Sequence, residues 1–252
     1  MTGTLYLIPN TLGDEDRESQ LPAVLPHYTQ HRAAQLRHWI VENAKTARAL
    51  LKSIHATVPL VCPLQEMHMV EWRGKEKDSQ QTNLKELLKP LLAGHDMGLM
   101  SEAGLPAIAD PGADIVQIAH QLGIRVVPLV GPSSLLLALM SSGLNGQQFA
   151  FHGYLPVNSG EKIQALKQLE QESKRKHQTQ LWIETPYRNP AMVESILTAL
   201  ADSTRVCIAV DLTLPSEWVR TYTISTWKQH LQKESDLAQR LKQRPAVFLM
   251  LS

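Results

Sequence analysis

Met97–Ser134 reads MGLMSEAGLPAIADPGADIVQIAHQLGIRVVPLVGPSS, and the rest of the chain is organised around it. Met97–Met100 is an uninterrupted apolar run, which predicts a short buried strand. Ser101–Gly112 is a Gly- and Pro-rich loop that leaves the backbone bare where that strand ends. Asp110 is expected to cap the following helix, with Pro111 at its first position. That helix repeats apolar side chains at Ile115, Ile118, Ala119 and Leu122, and Gly123 stands where a helix stops. Ile124–Val130 is the next strand, running into Gly131-Pro132-Ser133-Ser134 and the apolar helix Leu135–Met140. Two such loops after consecutive strands are expected side by side at the carboxyl edge of a parallel sheet, where open α/β sheets bind nucleotides.

Working outward, Leu5–Ile8 is a first strand closed by Pro9 and the turn Asn10–Asp14. Asp14–Glu18 is charged, Leu21–Tyr28 a short helix among prolines, and Trp39–Val41 the second strand. Ala44–Ile54 has helical spacing through Ala47, Leu50, Leu51 and Ile54. Pro59–Glu71 contains a strand, Trp72–Thr82 is a polar loop beside the cleft, and Leu84–Leu92 is a helix. Beyond the second Gly-Pro loop, strands are expected at Phe149–Tyr154, Thr179–Glu184, Arg205–Val210, Val219–Ile224 and Ala246–Leu251. Glu161–Lys176 is a charged helix, and Asn189 caps another that has Pro190 first and Val193, Ile196, Leu197 and Leu200 on one face. The pattern predicts two α/β domains, residues 1–130 with a mostly parallel sheet and residues 131–252 with a mixed sheet, and a cleft between them.

Composition bounds the function. The 252 residues are 43% hydrophobic and 19% charged, the profile of a globular protein. A net charge of +1 gives no global attraction to nucleic acid, so an RNA site would have to be a local patch. Cys62 and Cys207 are too few and too far apart for a disulfide framework or a metal site, and read as core thiols. With no signal-like N-terminus and no run of membrane-spanning length, a cytoplasmic protein is expected, without metal or membrane partner.

Obvious catalytic groups are sparse. No lysine-bearing phosphate loop, zinc-type histidine pair or nucleophile elbow occurs. Glu102 faces either cleft or solvent. Ser133 and Ser134 either bond a ligand carboxylate or cap the next helix. Glu184 and Arg188, four apart across a turn, pair with each other unless Arg188 holds a phosphate or carboxylate. His152 reads as a satisfied structural histidine.

Residues 99–112 and 127–134 together resemble the core of the tetrapyrrole-methylase superfamily of S-adenosylmethionine-dependent methyltransferases. Within it they are similar to the ribosomal RNA small-subunit methyltransferase I group, which methylates a ribose 2′-hydroxyl. Leu5–Gly13, Val41–Leu51, Phe151–Pro156 and Glu184–Arg188 carry further matches in the same order. The resemblance implies a homodimer with S-adenosylmethionine folded into the cleft. Its contacts would be Leu12 and Gly13; the loop with Ser101, Gly104, Leu105, Pro106 and Ile108; Ser133 and Ser134; Ile183 and Glu184; and Ala246 and Val247. Ribosomal RNA in the small subunit would be the acceptor, held by Lys45 and Arg188 and by a basic groove including Arg73, Lys75 and Lys77. The alternatives are a tetrapyrrole-like small acceptor, or a donor-binding protein without turnover. A sulfonium-borne methyl group needs alignment more than acid–base help, so the resemblance assigns no catalytic residue. The chain departs from the group at Asn43 and Lys45, where an acid and an arginine are usual. It also departs at Thr11–Asp14, in place of a Pro-Ile-Gly-Asn turn, and after Thr213, where a lysine is expected.

Overall fold

In Thr4–Leu7 (β1) the side chains alternate between two buried faces: Tyr6 joins one apolar cluster and Leu5 another. The same period of two recurs in His38–Val41 (β2), which directs Trp39 and Val41 to the first cluster and Ile40 to the second. A strand buried on both faces belongs in a parallel sheet covered by helices on each side. The computed structural model, which describes residues 2–13, 15, 17–74, 84–233 and 240–252, has that arrangement in the first of its two compact units, Met1–Ser133 and Ser134–Ser252.

In the first unit, β1 is followed by Arg17–Val24 (α1), His27–Ala34 (α2), β2, Ala44–His55 (α3) and His68–Glu71 (β3). Leu84–Leu87 (α4), Lys89–Leu92 (α5), Met97–Met100 (β4), Ala113–Gln121 (α6) and Arg125–Pro128 (β5) complete it. The strands run in the order β3-β2-β4-β1-β5, and every described pairing is parallel. Residues of α1, α2 and α3 pack on one face and residues of α4, α5 and α6 on the other. Gly98 in β4 lies directly under the fully buried Trp39, whose ring carbons are 2.3 and 2.4 Å from where a Cβ would stand.

Ser134–Ser142 (α7) opens the second unit. Phe149–Tyr154 (β6), Ser159–Lys176 (α8), Thr179–Glu184 (β7), Asn189–Ala199 (α9), Arg205–Val210 (β8), Trp218–Thr223 (β9), Ile224–Lys233 (α10) and Ala246–Leu251 (β10) follow. The order is β6-β7-β10-β8-β9, with β6–β7 parallel and the other pairings antiparallel, a mixed sheet. Trp182, Ile208 and Phe248 face α9 and α10 through Met192, Ile196 and Trp227, while α7 packs against β8, β9 and β10.

Four local expectations need correction. The strands that lead into the two loops are not adjacent, because β1 lies between β4 and β5, although the loops still approach each other at Gly104 and Pro132. Asp110 is not the cap of α6: Ala107 and Ala109 adopt φ of 65° and 61°, the chain turns later, and Gly112 caps at φ 137°. A Cβ there would meet Leu99 Cδ2 at 3.1 Å, so glycine at this cap also lets the loop lie against β4. Pro90 lacks the N–H a continuous helix needs, so Leu84–Leu92 is two short helices, with Pro90 in the first turn of the second. Asn189 is the first residue of α9 rather than its cap, and its carboxamide donates to Leu241 O (3.3 Å) and Arg244 O (2.7 Å). Most of the polar loop expected at Trp72–Thr82, including Lys75 and Lys77, lies outside the described residues, as does Asp14.

At the opposite, amino-terminal edge of the first sheet, register places His38 beside His68, with His95 close by: ring centroids are 5.1 and 5.2 Å from His38. Burial, and then the neighbouring His68, His95 and Arg37, hold His38 below its ordinary value. A histidine depressed in the folded state contributes stability that is present above its unfolded value of about 6.5 and is lost as pH falls below it. Melting of the wild type is therefore expected to drop more between about pH 7.5 and 5.5 than melting of His38→Asn. Gly98→Ala forces a methyl into the Trp39 ring, and chemical denaturation is expected to show a loss of about 3 kcal/mol.

Candidate functional site

The carboxyl edge of the first sheet is built around one buried side chain. Asn10, wholly inaccessible, follows β1 and sits between the loops that leave β4 and β5. Its backbone N–H donates to Gly104 O at 2.9 Å. Its carboxamide nitrogen donates to Glu102 O (2.8 Å) and Ser101 O (3.3 Å), and its oxygen accepts from Thr11 N (2.8 Å). One asparagine thus shapes the β1 turn and ties the β4 loop to it. Thr11 Oγ1 in turn donates to Gly13 O (2.9 Å) and accepts from Arg17 Nε (3.1 Å). The β5 end is held by Thr29 Oγ1, which donates to Val130 O at 2.8 Å.

Gly104 adopts φ 66°, in the left-handed region that favours glycine. A Cβ here would stand 3.3 Å from Leu12 Cδ2 and 3.6 Å from Pro132 O. So Leu12, Gly104 and Pro132, from three different loops, meet at one place. At the root of the β4 loop, Ser101 is buried and its Oγ has no hydrogen-bond partner among the described residues. A buried hydroxyl without a partner carries a desolvation cost unless a ligand supplies one. Leu105 is half-buried, Pro106 buried and Ile108 exposed on the same loop, whereas Glu102 is exposed and donates its N–H to Glu42 Oε2 (3.1 Å).

Other expected residues fall elsewhere. Ser133 closes the first unit and Ser134 is the first residue of α7 in the second. Asn43, one of the departures from the resembled group, caps α3 by accepting from Lys45 N (2.9 Å) and Thr46 N (3.4 Å); Lys45 is exposed. Arg73 pairs with Glu71 (3.1 Å). In the second unit, register sets Ile183 opposite Val247 and Glu184 opposite Ala246, one cluster at the end of β7 and the start of β10. Glu184 Oε1 accepts from Thr185 N (2.7 Å) and from Arg188 Nε (2.9 Å), so the ion-pair reading of Glu184 and Arg188 holds. Its buried Oε2 has no partner among the described residues. His152 Nε2 is 2.6 Å from Gln180 Oε1, the structural role expected of it. Cys62 and Cys207 are buried free thiols, and burial pushes Cys207 up to about 11. Among the described residues no group of three or more His, Cys, Asp or Glu side chains is placed to hold a metal ion, and no helix is long and apolar enough to cross a membrane.

Sequence reasoning placed Asn10 in a turn but missed its role, because that role depends on β1 lying between β4 and β5. Only the change from Pro9 to a run of small polar residues at a strand end pointed to it. Asn10→Asp keeps the shape but turns a donor into an acceptor facing two carbonyls. It is expected to cost about 3 kcal/mol in denaturant unfolding, more than Ser101→Ala, which removes no protein hydrogen bond.

Residues 28–227 match the family described as Tetrapyrrole (Corrin/Porphyrin) Methylases. The proteins named ribosomal RNA small subunit methyltransferase I are similar to this chain. That of Escherichia coli O157:H7 is 36% identical over 54% of this chain and 46% of its own length. The one from Halalkalibacterium halodurans is 30% identical over 84% and 65%, and that of Streptococcus pyogenes serotype M3 is 28% identical over 93% and 73%. The chain spans about half the length of several of the curated relatives it matches. Among solved structures, uroporphyrin-III-C-methyltransferase from Thermus thermophilus superposes with a TM-score of 0.52 at 17% identity, covering 100% of this chain and 93% of the other. A cobalt precorrin-4 methyltransferase gives 0.57 at 14%, covering 98% and 94%. At such identities these two establish the fold alone. With the family match extending over most of its length, the chain belongs to the tetrapyrrole methylases.

Proposed function

We propose that the protein is an S-adenosylmethionine-dependent methyltransferase acting on ribosomal RNA of the small subunit, at a ribose 2′-hydroxyl. The observation that carries the donor part is the buried, unpartnered Ser101 hydroxyl beside the left-handed backbone of Gly104. That pairing suits a polar ligand lying flat against main chain. Leu12, Gly13, Ser101, Gly104, Leu105, Pro106 and Ile108 would hold the donor from the first unit. Ser133, Ser134, Ile183, Glu184, Ala246 and Val247 are proposed as further donor contacts, with Glu184 Oε2 as the second polar atom awaiting a partner. When bound, S-adenosylmethionine supplies an electrophilic methyl group on its sulfonium. The residues here bind and orient; Asn10 fixes the loops, and no side chain needs to take part as an acid or a base in transferring the methyl group.

The acceptor is argued from the relatives, which carry the name of a ribosomal RNA methyltransferase and align over as much as 93% of this chain. Lys45 is exposed, while Arg188 and Arg73 are each in an ion pair. RNA contact by Arg188 would therefore use guanidinium nitrogens other than Nε. A dimer and a cytoplasmic location are parts of the same proposal.

Calorimetric titration is expected to show S-adenosylmethionine and S-adenosylhomocysteine binding at one site per chain. Gly104→Val, which strains the backbone and drives a side chain at Leu12, is expected to weaken both by at least about tenfold. No heat with either compound would overturn the donor assignment. With labelled donor, undermethylated small ribosomal subunits are expected to take up methyl groups at a rate that falls steeply with added salt. Transfer to a porphyrin-like acceptor with little salt dependence would replace RNA with a small molecule.

A further inference from the structure

One side chain breaks the pattern of its own helix. The inward stripe of α8 runs through Leu166, Leu169 and Ser173 at helical spacing, and Lys162 occupies the next inward position toward the helix start. A lysine on such a stripe ordinarily lays its stem on apolar surface and keeps its ammonium in water. Lys162 is only 4% exposed, so the head is enclosed together with the stem. Among the described residues its side chain takes part in no ion pair and no hydrogen bond. Unlike Glu184 Oε2, its Nζ is not fully sealed from solvent. An enclosed ammonium without a counter-charge is costly unless an anion from outside the chain reaches it.

The place of this ammonium follows from the lengths of the elements. α8 starts just past the carboxyl end of β6, which runs parallel to β7. Ser173 marks the amino end of β7, where its O accepts from Gln178 N (3.1 Å) and its Oγ from Ser252 N (3.0 Å). Lys162 lies about 16 Å back along α8, and β7 rises by about the same 16 Å from Thr179 to Glu184. α8 packs against β7 and β10, and Leu166 shares one apolar cluster with Trp182, whose face of β7 also carries Glu184. Lys162 is therefore level with the carboxyl end of β7. Arg188 already pairs with Glu184, so the charge of Lys162 is not needed to neutralise that acid. The turn Pro186–Arg188 at the same end presents Tyr187, 70% exposed, with the Arg188 guanidinium 5.3 Å from its ring. Cationic groups beside an exposed aromatic ring suit a single-stranded nucleic acid, the ammonium taking a phosphate and the ring stacking a base. A base is free to stack in this way only where the strand is unpaired.

We infer that, given an RNA acceptor as proposed, Lys162 and Tyr187 contact an unpaired stretch of it, the ammonium holding a backbone phosphate and the ring a neighbouring base. The test is fluorescence anisotropy of a short labelled single-stranded RNA with the full chain and two variants. Lys162→Met fills the same space without the charge. It is expected to weaken binding about fivefold and to lower the slope of log affinity against log salt by about one. Because it removes an enclosed charge that has no partner, it is also expected to raise the midpoint of chemical denaturation. Tyr187→Leu, at an exposed position, is expected to weaken binding several-fold and leave the salt slope unchanged. Calorimetry is expected to show both variants binding S-adenosylmethionine with the wild-type heat. Wild-type RNA affinity in either variant would overturn the assignment. So would a lower denaturation midpoint in Lys162→Met, which would give the charge to the fold, or a loss of donor binding in that variant, which would give it to the donor. A wild type that binds RNA but no donor would refute the methyltransferase reading alone, whereas one that binds donor but no RNA would remove the RNA acceptor and this contact with it.

Discussion

The first unit depends on the carboxamide of Asn10 being fully satisfied where no water reaches it. A buried amide that lost its partners would cost more than a net hydrogen bond contributes, so this side chain imposes a geometry on everything it touches. It binds two successive carbonyls of the β4 loop and the next N–H of its own turn, while its backbone N–H takes a third carbonyl, that of Gly104. The loop is thereby held in a conformation in which Gly104 takes a positive φ and Ser101 Oγ has no partner among the described residues. Packing supplies the rigid frame for this arrangement. β1 is the strand between β4 and β5, and the bare Gly98 in β4 leaves room for the Trp39 ring of the neighbouring β2.

The second unit solves a different problem with a mixed sheet. Its antiparallel strands expose an edge, and β9 at that edge is covered on one face by α7 and on the other by α10. Glu184 shows how a buried acid is handled there. One oxygen is bonded to Thr185 and Arg188, and the other has no partner among the described residues. In both units, then, the candidate ligand-binding atoms are polar groups that the protein fixes in place and leaves one bond short. That pattern suits a reaction in which alignment matters more than proton transfer.

Much of this was legible in the sequence, for identifiable reasons. Met97–Met100 is too short and too apolar to be anything but a buried strand, and Ser101–Gly112 has the glycines and prolines that force a loop. The alternation of strands and helices before residue 130 pointed to a parallel sheet, and the run of strands with few helices after residue 149 to a mixed one. What was not legible came from pairings distant in sequence. Strand order put β1 between β4 and β5 and so made Asn10 central. The left-handed residues Ala107 and Ala109 delayed the start of α6 beyond Asp110, and distant carbonyls at Leu241 and Arg244 drew the Asn189 side chain away from capping.

The most direct measurement is amide hydrogen exchange with and without S-adenosylmethionine. If Asn10 couples the loops into one donor platform, residues 10–13 and 101–108 gain protection together, with the same dependence on donor concentration. In Asn10→Asp, both segments lose that gain together. Protection confined to one loop, or donor-dependent protection in neither, would contradict the account.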